Sequence, residues 1–458
     1  MMKTFVALLL TTATGAAPAV AAPPASESSA ENAPAPVDGS DKSEITTLTL
    51  ARALETAAAH QPSIQQARAS TEAAAARIDQ AAAVGLPQLT GTGTYQRTTG
   101  NFSPRPGATS AAVQMAPPWT TGTYNYFNFG ATASQLIYDF GQTPERRRAA
   151  ASTRDAAAAA ERTAAFTVKL QVQQAFFRAR AQRALTAVAS AAVDNQGRHV
   201  DQIKGFVAAG LRPEIDLASV RTDLANARVQ LITAQNGYGQ AKAELNRAMG
   251  VFSPRPYEIA DEELPPVEGE DSTADGLVQD ALRRRPELTT LQYQQTAQQH
   301  LLRGLKGGYG PALTANAAAT EAGTEMDHLV PNWLVGATLS WPLLQGGLTR
   351  GQVREAEANL RVLEAQTTAL RLQVQLEIEE ALLAVRASKA SVQAVAEAVT
   401  SAQEQLRLAE GRYRTGLGNA LELGDSQQAL SAASAQAVQA QFNLAGARAQ
   451  LSLALGRP

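Results

Sequence analysis

Two hydrophobic periods alternate along this chain. Leu217, Val220, Leu224, Ala227, Leu231, Ala234, Tyr238, Ala241, Leu245 and Ala248 recur at steps of 3 and 4 without interruption. Leu423, Ser426, Leu430, Ala433, Ala437, Ala440, Leu444, Ala447, Leu451 and Ala454 repeat the pattern near the C-terminus. Each set is a coiled-coil seam sustained over roughly four to five heptads. Many seam positions are Ala, so the pattern predicts helix axes lying close together, as in a bundle or ring. The preceding helix, from about Glu145 to Lys204, has roughly 60 residues and would extend about 90 Å. No ordinary globular domain needs that length; a rod or the wall of a long tube does.

Between the helices the period drops to 2. Phe127, Phe129, Ala131 and Ala133 alternate with Asn128, Gly130, Thr132 and Ser134. Trp333, Val335, Ala337, Leu339 and Trp341 alternate with Leu334, Gly336, Thr338 and Ser340. An apolar side facing a small polar side predicts strands over about 126–138 and 333–344, with partners over about 87–97 and 311–321. About 10 residues each suits a strand of an outer-membrane barrel, and Trp333, Trp341, Tyr124, Tyr126 and Tyr138 are placed as girdle residues would be. A soluble sheet capping a helical bundle is the alternative that alternation alone allows. Four strands cannot close a barrel, and open edges are not tolerated in lipid. The membrane reading therefore requires several chains to pool strands, and three chains would give 12.

The chain is also an internal duplication. A shift of 206 residues overlays 141–250 on the second half without a gap. It places Val172-Gln-Gln-Ala-Phe-Phe177 on Ile378-Glu-Glu-Ala-Leu-Leu383, and Gly210-Leu211 on Gly416-Leu417. Upstream, a shift of 224 places Pro62 on Pro286, Ile64 on Leu288, Pro87 on Pro311 and Leu89 on Leu313. The first copy thus carries 18 additional residues between Pro87 and Gly141. Each unit reads as a helix (about Leu48 to Gly85, and Asp275 to Gly308), then strands, then two long helices meeting at a Gly-Leu turn. The units span 47–250 and 274–456, and the Pro-rich, acidic stretch 251–273 reads as the linker.

Composition narrows the location. In Met1–Ala25, Lys3, the apolar run from Phe5 to Leu10 and Ala19-Val20-Ala21 read as a secretory signal over residues 1–22. That run is far below the ~18 residues a spanning helix needs. Residues 23–46, rich in Pro, Ser, Ala and acid, read as a flexible arm. The 458 residues contain no Cys, which removes disulfides, Cys-based metal sites and an acylated-Cys anchor. A formal net charge of −2 gives no global basic field for nucleic acid.

No enzyme signature emerges. There is no nucleophile motif, phosphate loop or dinucleotide fingerprint. His60, His199, His300 and His328 share no i,i+4 face, so neither a metal nor another cofactor is expected.

With the duplication, the helix–strand–strand–helix order and the turns Gly210-Leu-Arg-Pro-Glu-Ile-Asp216 and Gly416-Leu-Gly-Asn-Ala-Leu-Glu422, the chain resembles the TolC family of bacterial outer-membrane efflux proteins from about Leu48 to Gly456. The resemblance implies a mainly α fold with membrane β: a homotrimer with a 12-stranded barrel among outer-membrane lipids and an α-helical barrel reaching into the periplasm. It implies docking to a periplasmic adaptor and an inner-membrane transporter, for export of small molecules or proteins. The rival function is a soluble periplasmic coiled-coil scaffold.

Family members close the tunnel at the helical tips with charged and Tyr side chains. By position these are Asp216, Tyr413, Glu422 and Asp425, with Gly210, Leu211, Gly416 and Leu417 forming the adaptor-docking tips. Some relatives place an Arg two residues after the second turn's first Gly; this chain has Gly418 there, with Arg412 and Arg414 nearby. Local chemistry offers simpler roles for several of these residues. Asn419-x-x-Glu422 has capping-box spacing, and Glu214 and Asp216 follow Pro213 in a first turn, where the helix dipole favours carboxylates. Leu211 and Leu417 suit a hydrophobic contact at a helix C-cap. Asp425 lies one turn deeper, beyond the last orphan N–H groups, and capping does not account for it.

Overall fold

The computed structural model describes residues 46–99, 122–252 and 256–457. The expected signal segment, nearly all of the 23–46 arm and much of the extra loop of the first copy (100–121) lie outside those residues.

The described chain is two copies of one order. The first copy runs β1 (Thr46–Leu48), α1 (Leu50–His60), α2 (Pro62–Ala83), β2 (Gln88–Thr99), β3 (Thr123–Tyr138), α3 (Gln142–Ala208) and α4 (Glu214–Met249). After β4 (Tyr257–Ile259), the second runs α5 (Ala274–Arg284), α6 (Pro286–Gly307), β5 (Ala312–Gly323), β6 (Val330–Ser340), α7 (Leu348–Arg414) and α8 (Ala420–Ala454). The helices α3 and α7 each have 67 residues, about 100 Å of continuous helix.

Two expected elements change. The single helix expected over Leu48–Gly85 is broken at Gln61, whose backbone is extended (φ −68°, ψ 119°), and its twin is broken at Arg285 in the same way (φ −69°, ψ 121°). A proline ring disfavours helical backbone in the residue before it, so Pro62 and Pro286 each end one helix and start the next. The stretch 251–273 is more than a connection: β4 pairs in parallel with β1, and Tyr257 and Ile259 are buried in the first-copy core. That core joins Val172, Phe176 and Phe177 of α3 to Ala53 and Ala57 of α1 and Leu245 of α4. The second-copy core joins Val374, Ile378, Leu382 and Val385 of α7 to Leu277 of α5 and Leu451 of α8. All ten seam positions of α4 and all ten of α8 are buried or half-buried.

An ion cluster fastens the linker. Glu270, buried, accepts from Arg448 Nε and Nη2, each at 3.1 Å, and meets Lys389 Nζ at 2.7 Å. Burial by itself would raise the Glu270 pKa; the bonds from Arg448, Lys389 and the Val267 N–H outweigh it and bring the carboxyl down to about 2.

The four long strands form one antiparallel sheet in the order β2-β3-β5-β6. Its register aligns like with like. Leu89 pairs with Ala133, Ala133 with Ala317 and Ala317 with Val335, while Thr90 pairs with Thr132, Thr132 with Ala318 and Asn316 with Gly336. One face of the sheet is therefore mainly apolar, interrupted by Arg97, Asn125, Gln135 and Glu321, and the other is rich in Thr, Ser, Asn and Gly. Aromatics mark both ends: Tyr95, Tyr126 and Trp333 far from the helices, Tyr138 and Trp341 beside them. Eight residues separate Trp333 from Trp341, about 26 Å of strand. β6 is exposed along its whole length, and it ends at Ser340 because Pro342 follows.

Candidate functional site at the helical tips

The two turns that join the long helices are built alike. Gly210 and Gly416 are left-handed (φ 72° and 79°), a conformation that costs glycine little. The next N–H folds back in each case: Leu211 donates to the Phe206 carbonyl and Leu417 to the Arg412 carbonyl, both at 2.9 Å. The chain then restarts. Pro213 precedes α4, whose first turn carries Glu214 and Asp216; Asn419 caps α8, its Oδ1 accepting from the Glu422 N–H at 2.7 Å.

The tips are held together by a small apolar cluster of Ile203, Val220, Leu406, Ala409, Tyr413 and Leu423. Tyr413 is buried at its centre. Its ring meets the edge of His199 (centroids 5.4 Å apart, 71°) and lies under the Arg212 guanidinium, 5.2 Å away. Burial raises the Tyr413 pKa; Arg212 opposes that rise and Asp216 adds to it. Burial lowers the His199 pKa, with Asp223 acting in the opposite direction. Among the described residues the Tyr413 hydroxyl and His199 Nε2 have no hydrogen-bond partner, and neither do the Oε1 atoms of Gln196 and Gln427 nearby.

The structure separates the carboxylates that the sequence groups together. Asp216 and Asp425 line one groove of about 900 Å³ with Arg212, Asp223, Gln196 and Gln427. Glu422 lines a different groove with Glu404 and Arg412, and its carboxylate lies 3.5 Å from Arg412. The capping box is thus half formed: the Asn419 cap is made, while the Glu422 side chain is committed to Arg412. Leu211 and Leu417 remain largely exposed, so a C-cap contact does not bury them.

Several tip residues escape a sequence reading. Ile215 and Leu421, equivalent under the 206-residue shift, are more than two-thirds exposed and form a second twin pair of apolar side chains beside Leu211 and Leu417. The duplication could have found them. Arg212 and His199 carry no local signal, because their partners lie on other helices. Away from the tips, Glu325, Asp327 and His328 bring one ligand atom each to within 4.8 Å of one another, on the exposed loop between β5 and β6. A search for paired histidines overlooks such a group, in which His328 Nδ1 is 3.1 Å from the Asp327 carboxylate.

The family model described as "Outer membrane efflux protein" matches residues 53–251 and 277–457. The probable efflux pump outer membrane protein SepC of Pseudomonas putida is 25% identical over 353 residues, covering 75% of this chain and 72% of that protein. A membrane protein from Pseudomonas aeruginosa has the same fold, with a TM-score of 0.76 at 20% identity over 90% of this chain and 91% of that one. The outer membrane protein VceC of Vibrio cholerae does too, with a TM-score of 0.73 at 21% identity over 89% and 96%.

Proposed function

The chain belongs to the outer membrane efflux protein family, and on that premise we propose that three copies assemble into one exit duct. One observation carries the assembly. Within the chain α8 packs on α3, a second-copy helix against a first-copy helix. The duplication generates an equivalent contact, α4 on α7, and no comparable packing of that pair exists inside the chain. Val229 and Ile232 of α4 are exposed, as are Leu372 and Leu383 of α7. A neighbouring copy supplies the missing partner, and a heterologous contact of this kind forms a ring where its rotation closes.

The sheet leads to the same assembly. Among the described residues no further strand pairs with its edges, β2 and β6, and open edges are not tolerated in lipid. Joining β6 of one copy to β2 of the next satisfies both; three copies of the four-stranded sheet give twelve strands. The apolar face then meets lipid, and the Thr, Ser and Asn face lines a water-filled path.

In this reading the tips are the gate and the docking surface. Asp216 and Asp425 place carboxylates in one groove, Tyr413 anchors the turn that carries Gly416, and Glu422 acts with Arg412 on the opposite side. Gly210, Leu211, Gly416 and Leu417 present the end that meets a periplasmic adaptor, and through it an inner-membrane transporter. The chain contributes passage and docking and catalyses no reaction. Fractionation tests the proposal. A detergent-stable trimer in the outer membrane that conducts ions in planar bilayers supports the duct. A monomer or dimer in the soluble periplasmic fraction would instead establish the coiled-coil scaffold.

A further inference from the structure

Resting on the duct reading above, we propose that neighbouring copies interlock where the sheet meets the helices, Leu86 of one copy seating over Gly346 of the next. Among the described residues Phe140, between β3 and α3, is the one non-Gly residue in the left-handed region (φ 57°). That backbone is costly for any residue with a Cβ. Its twin under the 206-residue shift is Gly346, whose φ is also 57°, and the following Gly141 and Gly347 match at 87° and 86°. The two junctions share one backbone, and only the first carries a side chain on it.

The Phe140 ring has a socket. A Cβ at Gly310 would fall on that ring, so a glycine at this position is what admits it. Gly310 stands just before β5, the strand that β3 pairs with. Under the 224-residue shift Gly310 corresponds to Leu86, just before β2. The sizes are exchanged: Phe over Gly in one junction, Gly against Leu in the other. Left-handed backbone alone would favour Gly at 346, but Phe140 shows that this junction accepts a large side chain where a socket receives it. At Gly346 a Cβ would meet no described atom within 4 Å, and Leu86 is exposed.

The strand registers identify the occupant. Moving the β2–β3 pairing by the two shifts reproduces β5–β6: Gln88 pairs with Ser134 as Ala312 does with Ser340, and Thr98 with Tyr124 as Ala322 does with Val330. The same shifts carry the β3–β5 pairing, in which Ser134 faces Asn316 and Tyr138 faces Leu313, onto β6 and β2. Ser340 then faces Thr92, and Leu344 faces Leu89. Both leucines are exposed in the chain, and this register covers each with the other. β3 and β5 lie between β2 and β6 in the sheet, so the β2 that meets β6 belongs to a second copy of this chain.

Purified full-length protein in detergent tests this by oligomer size, with helical content as the check on folding. Gly346→Phe should lower the oligomeric fraction about tenfold, the effect of overpacking a close contact. Adding Leu86→Gly should restore it, because the pair then repeats the Phe140–Gly310 junction between copies. A full oligomer in Gly346→Phe overturns the contact, and so does a loss that Leu86→Gly leaves in place. The chain has no Cys, so paired Cys substitutions read the register separately. Thr92→Cys with Ser340→Cys should give covalent oligomers on oxidation, in higher yield than Thr94→Cys with Ser340→Cys. Equal or reversed yields overturn the register and the contact with it, and they decide the matter if Gly346→Phe does not fold. If wild type is a monomer, the duct reading itself fails; if wild type is an oligomer that crosslinks only at the shifted pair, the duct stands without this interlock.

Discussion

Phe177 and Leu383 occupy the same position of the two copies, yet Phe177 is 2% exposed and Leu383 is 63% exposed. The difference is a neighbour. Ala445 of α8 belongs to the cluster that covers Phe177, whereas α4, which stands where α8 would, reaches no comparable place on α7. In the proposed assembly the exposed member is where a neighbouring copy packs.

Leu383→Asp and Ile232→Asp should therefore break the oligomer while leaving the helical content of the chain intact. Burying an uncompensated carboxylate at an interface costs several kcal/mol, whereas the same charge on an exposed surface costs little. Analytical ultracentrifugation in detergent with circular dichroism reads both quantities. A full-sized oligomer in both variants would mean that these faces stay in water.

Asp425→Asn should weaken cation selectivity more than Glu422→Gln. Asp425 is exposed in a groove shared with Asp216, so its charge acts on the space beside it, while Glu422 is partly neutralised by Arg412. A ring of like charges repeated by three copies sets the sign of the permeant ion. Reversal potentials in a salt gradient measure the effect, and equal selectivity in wild type and Asp425→Asn would remove Asp425 from the gate.

The tips should loosen in acid. Burial holds His199 below its ordinary pKa, so the unfolded tip binds a proton more readily than the packed one. The packed tip is fully stable above the ordinary histidine range and loses stability as pH falls below it. The groups against the His199 ring are Tyr413 on α7 and Asp223 on α4, and Asp223 is the one that favours the proton. Proteolysis at the tips, followed from pH 7.5 to 5, should accelerate in wild type and much less in His199→Phe.

Glu270 sets a second, lower window. Its carboxyl is held near a pKa of about 2 by Arg448 and Lys389, so its contribution is complete above the ordinary carboxylate range. That contribution fades as pH falls toward 2. Glu270→Gln should cost about 3 kcal/mol at neutral pH, because Arg448 keeps its burial and loses its charge partner. Thermal melting of the purified variant gives the number; a change below about 0.5 kcal/mol would show the cluster to be dispensable.

The sequence by itself determined the architecture. Seam spacings of 3 and 4, strand spacings of 2 and the displacement of 206 residues are local or self-referential patterns, and each reappears in the elements observed. Gly210, Gly416 and the Asn419 cap were legible for the same reason: turn and cap chemistry acts over a few residues. Pro62 could have been read as a break, since the restriction on the residue before proline is local too.

Only the tertiary structure decided which side each tip residue faces. Glu422 and Asp425 are three positions apart on one helix, about 60° around its axis, and the boundary between two grooves falls between them. Whether Tyr257 is linker or core, and whether Phe177 is covered and Leu383 is not, depend on helices far apart in sequence. Periodicity fixes the face a residue occupies on its own helix; the rotation and neighbours of that helix fix what the face meets, and packing alone sets those.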